Sequence, residues 1–192
     1  VRFQGPPHRL SVLQVWIPFC GLLLMLAGCQ TDGSTVDPPD YDNPDAVFVR
    51  EHAQVDEREG ETWVITAPYF PRGRFGPQAS LVARWFPDGP VRYQLYYYHA
   101  LDRWADYLTA ENADGERLAV ELIGKRVGQN SQFEERVGIW LEGSALRAVR
   151  DAEKPLTLTL VGQRRREPIA IPPWMIDGFL EKVAFVRRAE GY

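Results

Sequence analysis

The sequence predicts a mainly β domain: an antiparallel β-sandwich or strongly bent sheet of about eight short strands, with a C-terminal amphipathic helix. Three observations carry this. Between Thr62 and Ile171 the chain runs in short segments rich in β-branched and aromatic residues, punctuated by Pro, Gly, Asn and Asp. One segment, Val91–His99, alternates strictly, with Val91, Tyr93, Leu95, Tyr97 and His99 on one face and Arg92, Gln94, Tyr96 and Tyr98 on the other. After Pro172-Pro173 the period becomes helical, placing Ile176, Phe179, Leu180, Val183 and Ala184 on one stripe. The strand spacing by itself leaves a small barrel open as well.

The first strand is Thr62–Ala67, which stops at Pro68. Ser80–Phe86 and Val91–His99 form a hairpin across Pro87-Asp88-Gly89-Pro90, residues that suit a tight turn. A second hairpin joins Ala105–Glu111 to Glu116–Lys125 across Asn112-Ala113-Asp114-Gly115, where Asp-Gly is a strong turn signal. Glu135–Leu141 reads as a further strand, and Ser144–Arg150 as a short helical turn with Leu146 and Val149 inward. Leu156–Val161 pairs with Glu167–Ile171 across Gly162–Arg166. The closing helix, Trp174–Arg188, follows a proline suited to a first turn. Lys182, Arg187 and Arg188 lie toward its end, where positive charge complements the dipole.

The residues before this body have a different character. Arg2, His8 and Arg9 precede a mostly apolar run, Val12–Ala27, that is too short for a membrane-spanning helix, which needs about 20 residues. A positive start, a short apolar centre and small residues at its end make the pattern of a secretory signal. From Gln30 to Asp45 the chain holds five Asp, three Pro and almost nothing apolar, so it cannot build a core. Extended as polyproline II at about 3.1 Å per residue, this spacer reaches up to roughly 50 Å. The organisation expected is therefore residues 1–28 as signal, 29–46 as tether and 47–192 as one β-rich domain.

At the junction, Leu26-Ala27-Gly28-Cys29 resembles the lipobox of bacterial lipoproteins, a large apolar residue and two small ones before the cysteine. The resemblance implies cleavage between Gly28 and Cys29, diacylglycerol on the Cys29 sulfur and a fatty acyl group on the new amino end. Two or more chains anchor stably where one does not. By resemblance to the sorting rule of enteric-type lipoproteins, in which Asp after the lipidated cysteine retains the protein at the inner membrane, Gln30 implies the outer membrane, facing the periplasm. The two cysteines of the chain, Cys20 and Cys29, leave the mature body no internal disulfide. Removing Arg2 and Arg9 with the signal takes the formal charge from −4 to −6. The mean field of the domain therefore draws it neither to nucleic acid nor to anionic lipid, and no nucleic acid is expected as a partner.

Catalytic patterns are sparse. Gly143-Ser144-Ala145 lacks the flanks of a nucleophile elbow, and His99, Asp102 and Ser144 form a triad only on paper. His99 with Asp102 and Asp106 would approach metal-ligand spacing only if Leu101–Tyr107 were helical, whereas a solvated loop is the default. Gly124 to Gly128 lacks the Lys-Ser/Thr of a phosphate loop. His52 sits beside the tether. No metal and no cofactor beyond the lipid on Cys29 is expected. Two patches remain as binding candidates: Tyr96 and Tyr98, with Tyr97, Trp85 and Trp104 as a wider aromatic set, and Arg164, Arg165 and Arg166 in a turn. The first expectation is a non-enzymatic envelope lipoprotein that binds or scaffolds another envelope protein through a face or edge of its sheet. The alternatives are a cell-wall polymer or lipid-headgroup module using Arg164–Arg166, and an envelope hydrolase using His99.

Overall fold

A computed structural model describes residues 44–71, 76–128 and 131–191. The signal, the lipobox with Gly28 and Cys29, and the tether up to residue 43 lie outside the described residues. The first element among the described residues, helix α1 (Ala46–His52), is capped by Asp45, whose Oδ1 accepts the Phe48 N–H at 2.8 Å. Strands β1 (Gln54–Arg58) and β2 (Glu61–Ile65) follow, joined by Glu59 and Gly60 at φ 53° and 80°. Two consecutive residues at positive φ make the tight turn that matches strand twist.

The remaining strands are β3 (Gln78–Trp85), β4 (Arg92–Leu101), β5 (Tyr107–Asn112), β6 (Arg117–Val127), β7 (Phe133–Leu141), β8 (Leu156–Gly162) and β9 (Arg166–Ile171). Helix α2 (Gly143–Asp151) stands between β7 and β8, and α3 (Pro173–Ala189) ends the fold. Both predicted hairpins form. In the first, the Gly89 N–H donates to the Phe86 carbonyl at 2.9 Å, with Leu81 opposite Leu95 across the strands. In the second, Asn112 Oδ1 accepts from the Asp114 and Glu116 N–H groups.

The nine strands among the described residues belong to one open antiparallel sheet, in the order β1-β2-β3-β4-β7-β6-β5-β8-β9. The bent-sheet alternative is therefore the observed one, and β1 is an additional strand. The bend has a measurable signature. β4 and β5 are separated by β7 and β6, which in a flat sheet puts them about 14 Å apart. Yet the rings of Tyr97 on β4 and Tyr107 on β5 lie 6.5 Å apart, edge to face. Register shifts at Leu122/Gly124 in β6 and Tyr107/Thr109 in β5 supply the curvature. Glu135 on β7 fastens the fold-back, its Oε1 accepting the N–H groups of Ala105 at 3.1 Å and Asp106 at 3.0 Å.

The hollow so formed holds the core. Met175, Ile176, Phe179, Leu180, Val183 and Val186 of α3 are buried in one cluster with Leu81, Leu95, Ile139, Leu158 and Ile169. Each such side chain contributes about 1.5–3 kcal/mol relative to exposure. Ala184, expected on the buried stripe, is exposed, and Val186 takes the inward position three residues beyond Val183. Leu146 of α2 is buried as expected, with Val149 packed at the core margin. Gly178 lets α3 approach α1: a Cβ there would lie 2.2 Å from the Ala46 carbonyl oxygen. Trp85 Nε1 and Thr62 Oγ1 both donate to the Glu190 carboxylate at 2.9 Å, tying the end of α3 to β2 and β3. No helix among the described residues is long and apolar enough to cross a membrane.

Candidate functional site

The outer face of the sheet is built by the residues that alternate with the core. The antiparallel register places Trp63 beside Arg84, Val82 and Trp140 on either side of Gln94, and Ser80 and Gly138 on either side of Tyr96. The next row is Gln78, Tyr98 and Arg136. The core that holds the buried residues of α1, α2 and α3 takes Leu81 and Ala83 from β3, whereas Val82 between them points the other way and is outside it. Val82 is nonetheless 0% exposed and Gln94 2%. The side chains of this face shield its own floor.

They do so by stacking. The Arg84 guanidinium lies 5.1 Å from the Trp63 ring centre and 5.0 Å from that of Trp140, and Arg58 lies 5.0 Å from Trp63. The result is a ladder, Arg58–Trp63–Arg84–Trp140, running from β1 to β7 with alternating cations and rings. Beneath it, Gln94 Nε2 donates to Glu121 Oε2 at 3.0 Å. Gly138 lies between them, and a Cβ there would sit 3.0 Å from that same nitrogen.

The ladder leads toward a hollow of about 330 Å³ at the β6 bulge, lined by Tyr98, Ile123, Gly124, Arg126, Glu134 and Arg136. Arg136 lies 5.8 Å from the Tyr98 ring, and Arg126 pairs with Glu134. Burial raises the pKa of the Tyr98 phenol, and the neighbouring Glu134 adds to the shift. Burial likewise raises that of Tyr96, against the nearby Arg84. Both phenols therefore remain protonated hydrogen-bond donors at neutral pH.

Tyr96 and Tyr98 thus lie on this face, as strand alternation requires. The wider aromatic set does not assemble there. Tyr97 and Trp85 are buried in the core on the other side. Trp104 lies in the loop after β4, with Lys125 4.4 Å above its ring and Phe133 edge-on at 4.8 Å. Trp63, Arg84, Arg136 and Trp140 were not among the sequence-derived candidates. They come from three strands, β2, β3 and β7, and nothing short of the strand order makes them neighbours.

Arg164 and Arg165 occupy the β8–β9 turn and Arg166 opens β9, but two of the three are committed to internal pairs. Arg165 Nε donates to Glu167 Oε2 at 2.7 Å, and Arg166 pairs with Glu111. Glu167 is 1% exposed, so Arg165 neutralises a buried charge, and this hydrogen bond is the main reason its own pKa is raised. A cleft of about 270 Å³ separates the turn from the Asp102–Ala105 loop.

The catalytic and metal patterns do not assemble. Ser144 opens α2 next to Gly143, which abuts the Tyr93 ring. His99 is six residues further along β4, about 20 Å away at strand rise. The His99 ring lies edge-on to Tyr97, and its register partner across the strands is Glu135. Residues 102–106 form no helix; Asp102 pairs with Arg103 and Asp106 with Lys125, whose pKa is raised chiefly by that hydrogen bond. No group of three His, Cys, Asp or Glu side chains suited to a metal occurs among the described residues. His52 is stacked on Phe48 at 4.3 Å, its Nδ1 2.9 Å from the Phe48 carbonyl oxygen.

No protein-family model matches the chain, nor does any curated protein or solved structure.

Proposed function

We propose that the protein is a bacterial envelope lipoprotein, held to the bilayer through acylated Cys29, whose β domain binds another envelope protein through the outer face of its sheet. The anchor rests on Leu26-Ala27-Gly28-Cys29 and on the Asp/Pro spacer that follows. Gln30 favours the outer membrane, facing the periplasm. The binding role rests on one observation above all, the Arg58–Trp63–Arg84–Trp140 ladder on the face opposite the helix-packed core.

Trp, Tyr and Arg are the residues that concentrate binding energy in protein interfaces, because each offers a large rigid apolar surface with a polar rim. Here they are prearranged by mutual stacking, so little side-chain entropy remains to be lost on binding. The guanidinium groups of Arg58, Arg84 and Arg136 suit partner carboxylates, and the rings of Trp63, Tyr96 and Trp140 suit apolar or planar groups between them. The reading assigns no catalytic residue and requires no cofactor.

The test is crosslinking in live cells followed by affinity purification. Four forms are compared: native, Cys29→Ser, Trp140→Ala and Arg84→Ala. A discrete partner should be recovered with the native form and depleted at least tenfold with both face variants, whose thermal melts show a folded domain. Undiminished recovery with both would refute the role of this face. Palmitate labelling and membrane retention that survive Cys29→Ser would refute the anchor.

A further inference from the structure

On the opposite side of the molecule, α1, α2 and α3 frame a shallow groove of about 620 Å³ lined by Leu180, Glu181, Ala184 and Phe185 and by Arg50, Arg150 and Arg188. Phe185 is 59% exposed, although its neighbour Val186 is buried. The three arginines are held loosely. Arg50 meets Glu181 at 3.2 Å and Arg150 meets Asp151 at 2.8 Å, all four side chains being substantially exposed. Arg188 makes no ion pair among the described residues. Exposed pairs of this kind are weak, so the guanidinium groups exchange partners readily.

Charge is distributed to match. The groove lining carries three arginines against one carboxylate, Glu181, on a chain whose formal charge is −4. We infer that this helical side docks on an anionic phospholipid bilayer, with phosphate oxygens bound by Arg50, Arg150 and Arg188 and Phe185 entering the headgroup boundary. An exposed aromatic among arginines is the chemistry of interfacial binding, in which apolar insertion and attraction to anionic lipid add. The connectivity agrees: α1, which carries Arg50, begins at Ala46, at the amino end of the described body. The spacer's reach is an upper limit, and docking draws the domain down while its outer face points away from the bilayer toward a partner.

The inference extends the anchored reading above, and its test omits the anchor so that the two stand or fall separately. The chain from residue 29 with Cys29→Ser contains every element described here. It is sedimented with large vesicles of phosphatidylcholine alone, or of phosphatidylcholine mixed with phosphatidylglycerol, at low and high salt. Binding should require phosphatidylglycerol, weaken as salt rises and fall about fivefold for each arginine replaced by Gln. Phe185→Ser should weaken it as well, whereas Glu181→Gln, by releasing Arg50, should strengthen it. Arg188→Gln alone guards against misfolding, since this exposed side chain makes no ion pair among the described residues. Absence of sedimentation with anionic vesicles, equal binding to neutral ones, or full binding by both Arg188→Gln and the triple variant would overturn the inference. So would equal loss on Arg84→Gln, which lies on the outer face.

Discussion

On its concave side the sheet is closed by three helices, and Leu95, Ile139 and Phe179 are wholly shielded from water. On its outer side the same strands are shielded by Trp63, Arg84, Tyr96 and Trp140 lying along them. The first covering is continuous apolar packing, in which every side chain has neighbours on all sides and a lost methylene leaves a void. The second is a single layer of half-buried amphipathic side chains, in which Trp63 Nε1 and Arg84 Nε are themselves shielded from water. A partner can replace water above that layer without disturbing the core beneath α3. One sheet therefore separates the part of the molecule that must not move from the part available for exchange.

This contrast sets the scale of four substitutions, measured as urea-unfolding free energies. Phe179→Ala, which removes a fully buried ring lying edge-on to Tyr93 at 6.1 Å, should cost about 3–5 kcal/mol. Gly178→Ala is a sharper probe of the same side. In a free helix the change stabilises by up to ~1 kcal/mol. Here the new Cβ meets the Ala46 carbonyl, and the sign should invert to a loss of about 1–3 kcal/mol. Arg84→Gln removes both stacking contacts of the ladder and should cost only ~1–2 kcal/mol. If it cost as much as Phe179→Ala, the outer layer would be a second core and its availability to a partner would be lost. Glu59→Asn, in the β1–β2 turn, should raise stability by about 0.5 kcal/mol, because Asn tolerates the positive φ that Glu holds there.

Alkaline unfolding compares the two faces again. Tyr93, beside Phe179, has its pKa raised mainly by burial, as do Tyr96 and Tyr98 on the outer face. The folded state favours the neutral phenol. Its contribution is therefore complete below the ordinary tyrosine pKa near 10 and is lost as pH rises through the higher folded value. Replacing Tyr93 by Phe should flatten the decline of stability above pH ~10, read by denaturant unfolding at several pH values.

Much of the architecture was legible along the chain. All eight predicted strands form, because their alternation and their Pro, Gly and Asp turns are local signals. The closing helix was legible from its period, and Leu146 from its place in the short helix before β8. The missed elements carried weak signals. β1 reads Gln-Val-Asp-Glu-Arg, is exposed throughout and turns on Glu-Gly rather than Asn-Gly or Asp-Gly. α1 has seven residues and one buried side chain, so its Asp45 cap was the only cue. In the candidate face, Tyr96 and Tyr98 followed from alternation, and so did their separation from Tyr97. The partners that make the face a ladder did not, since Trp63, Arg84 and Trp140 stand far apart in sequence. Alternation puts Glu135 in phase with Val137, Ile139 and Leu141, and Glu167 in phase with Ile169 and Ile171, but the N–H groups of Ala105 and Asp106 that meet the Glu135 carboxylate come from another segment of the chain.

The sequence by itself determined the periods, the turns, the two-sidedness of β4 and the character of the closing helix, because each depends on residues within a few positions of one another. Tertiary structure decided that β7 lies beside β4, that bulges in β5 and β6 bend one sheet around α3, and that Arg84 rests between two tryptophans. Those outcomes depend on which apolar surfaces close a common core, a quantity summed over the whole chain.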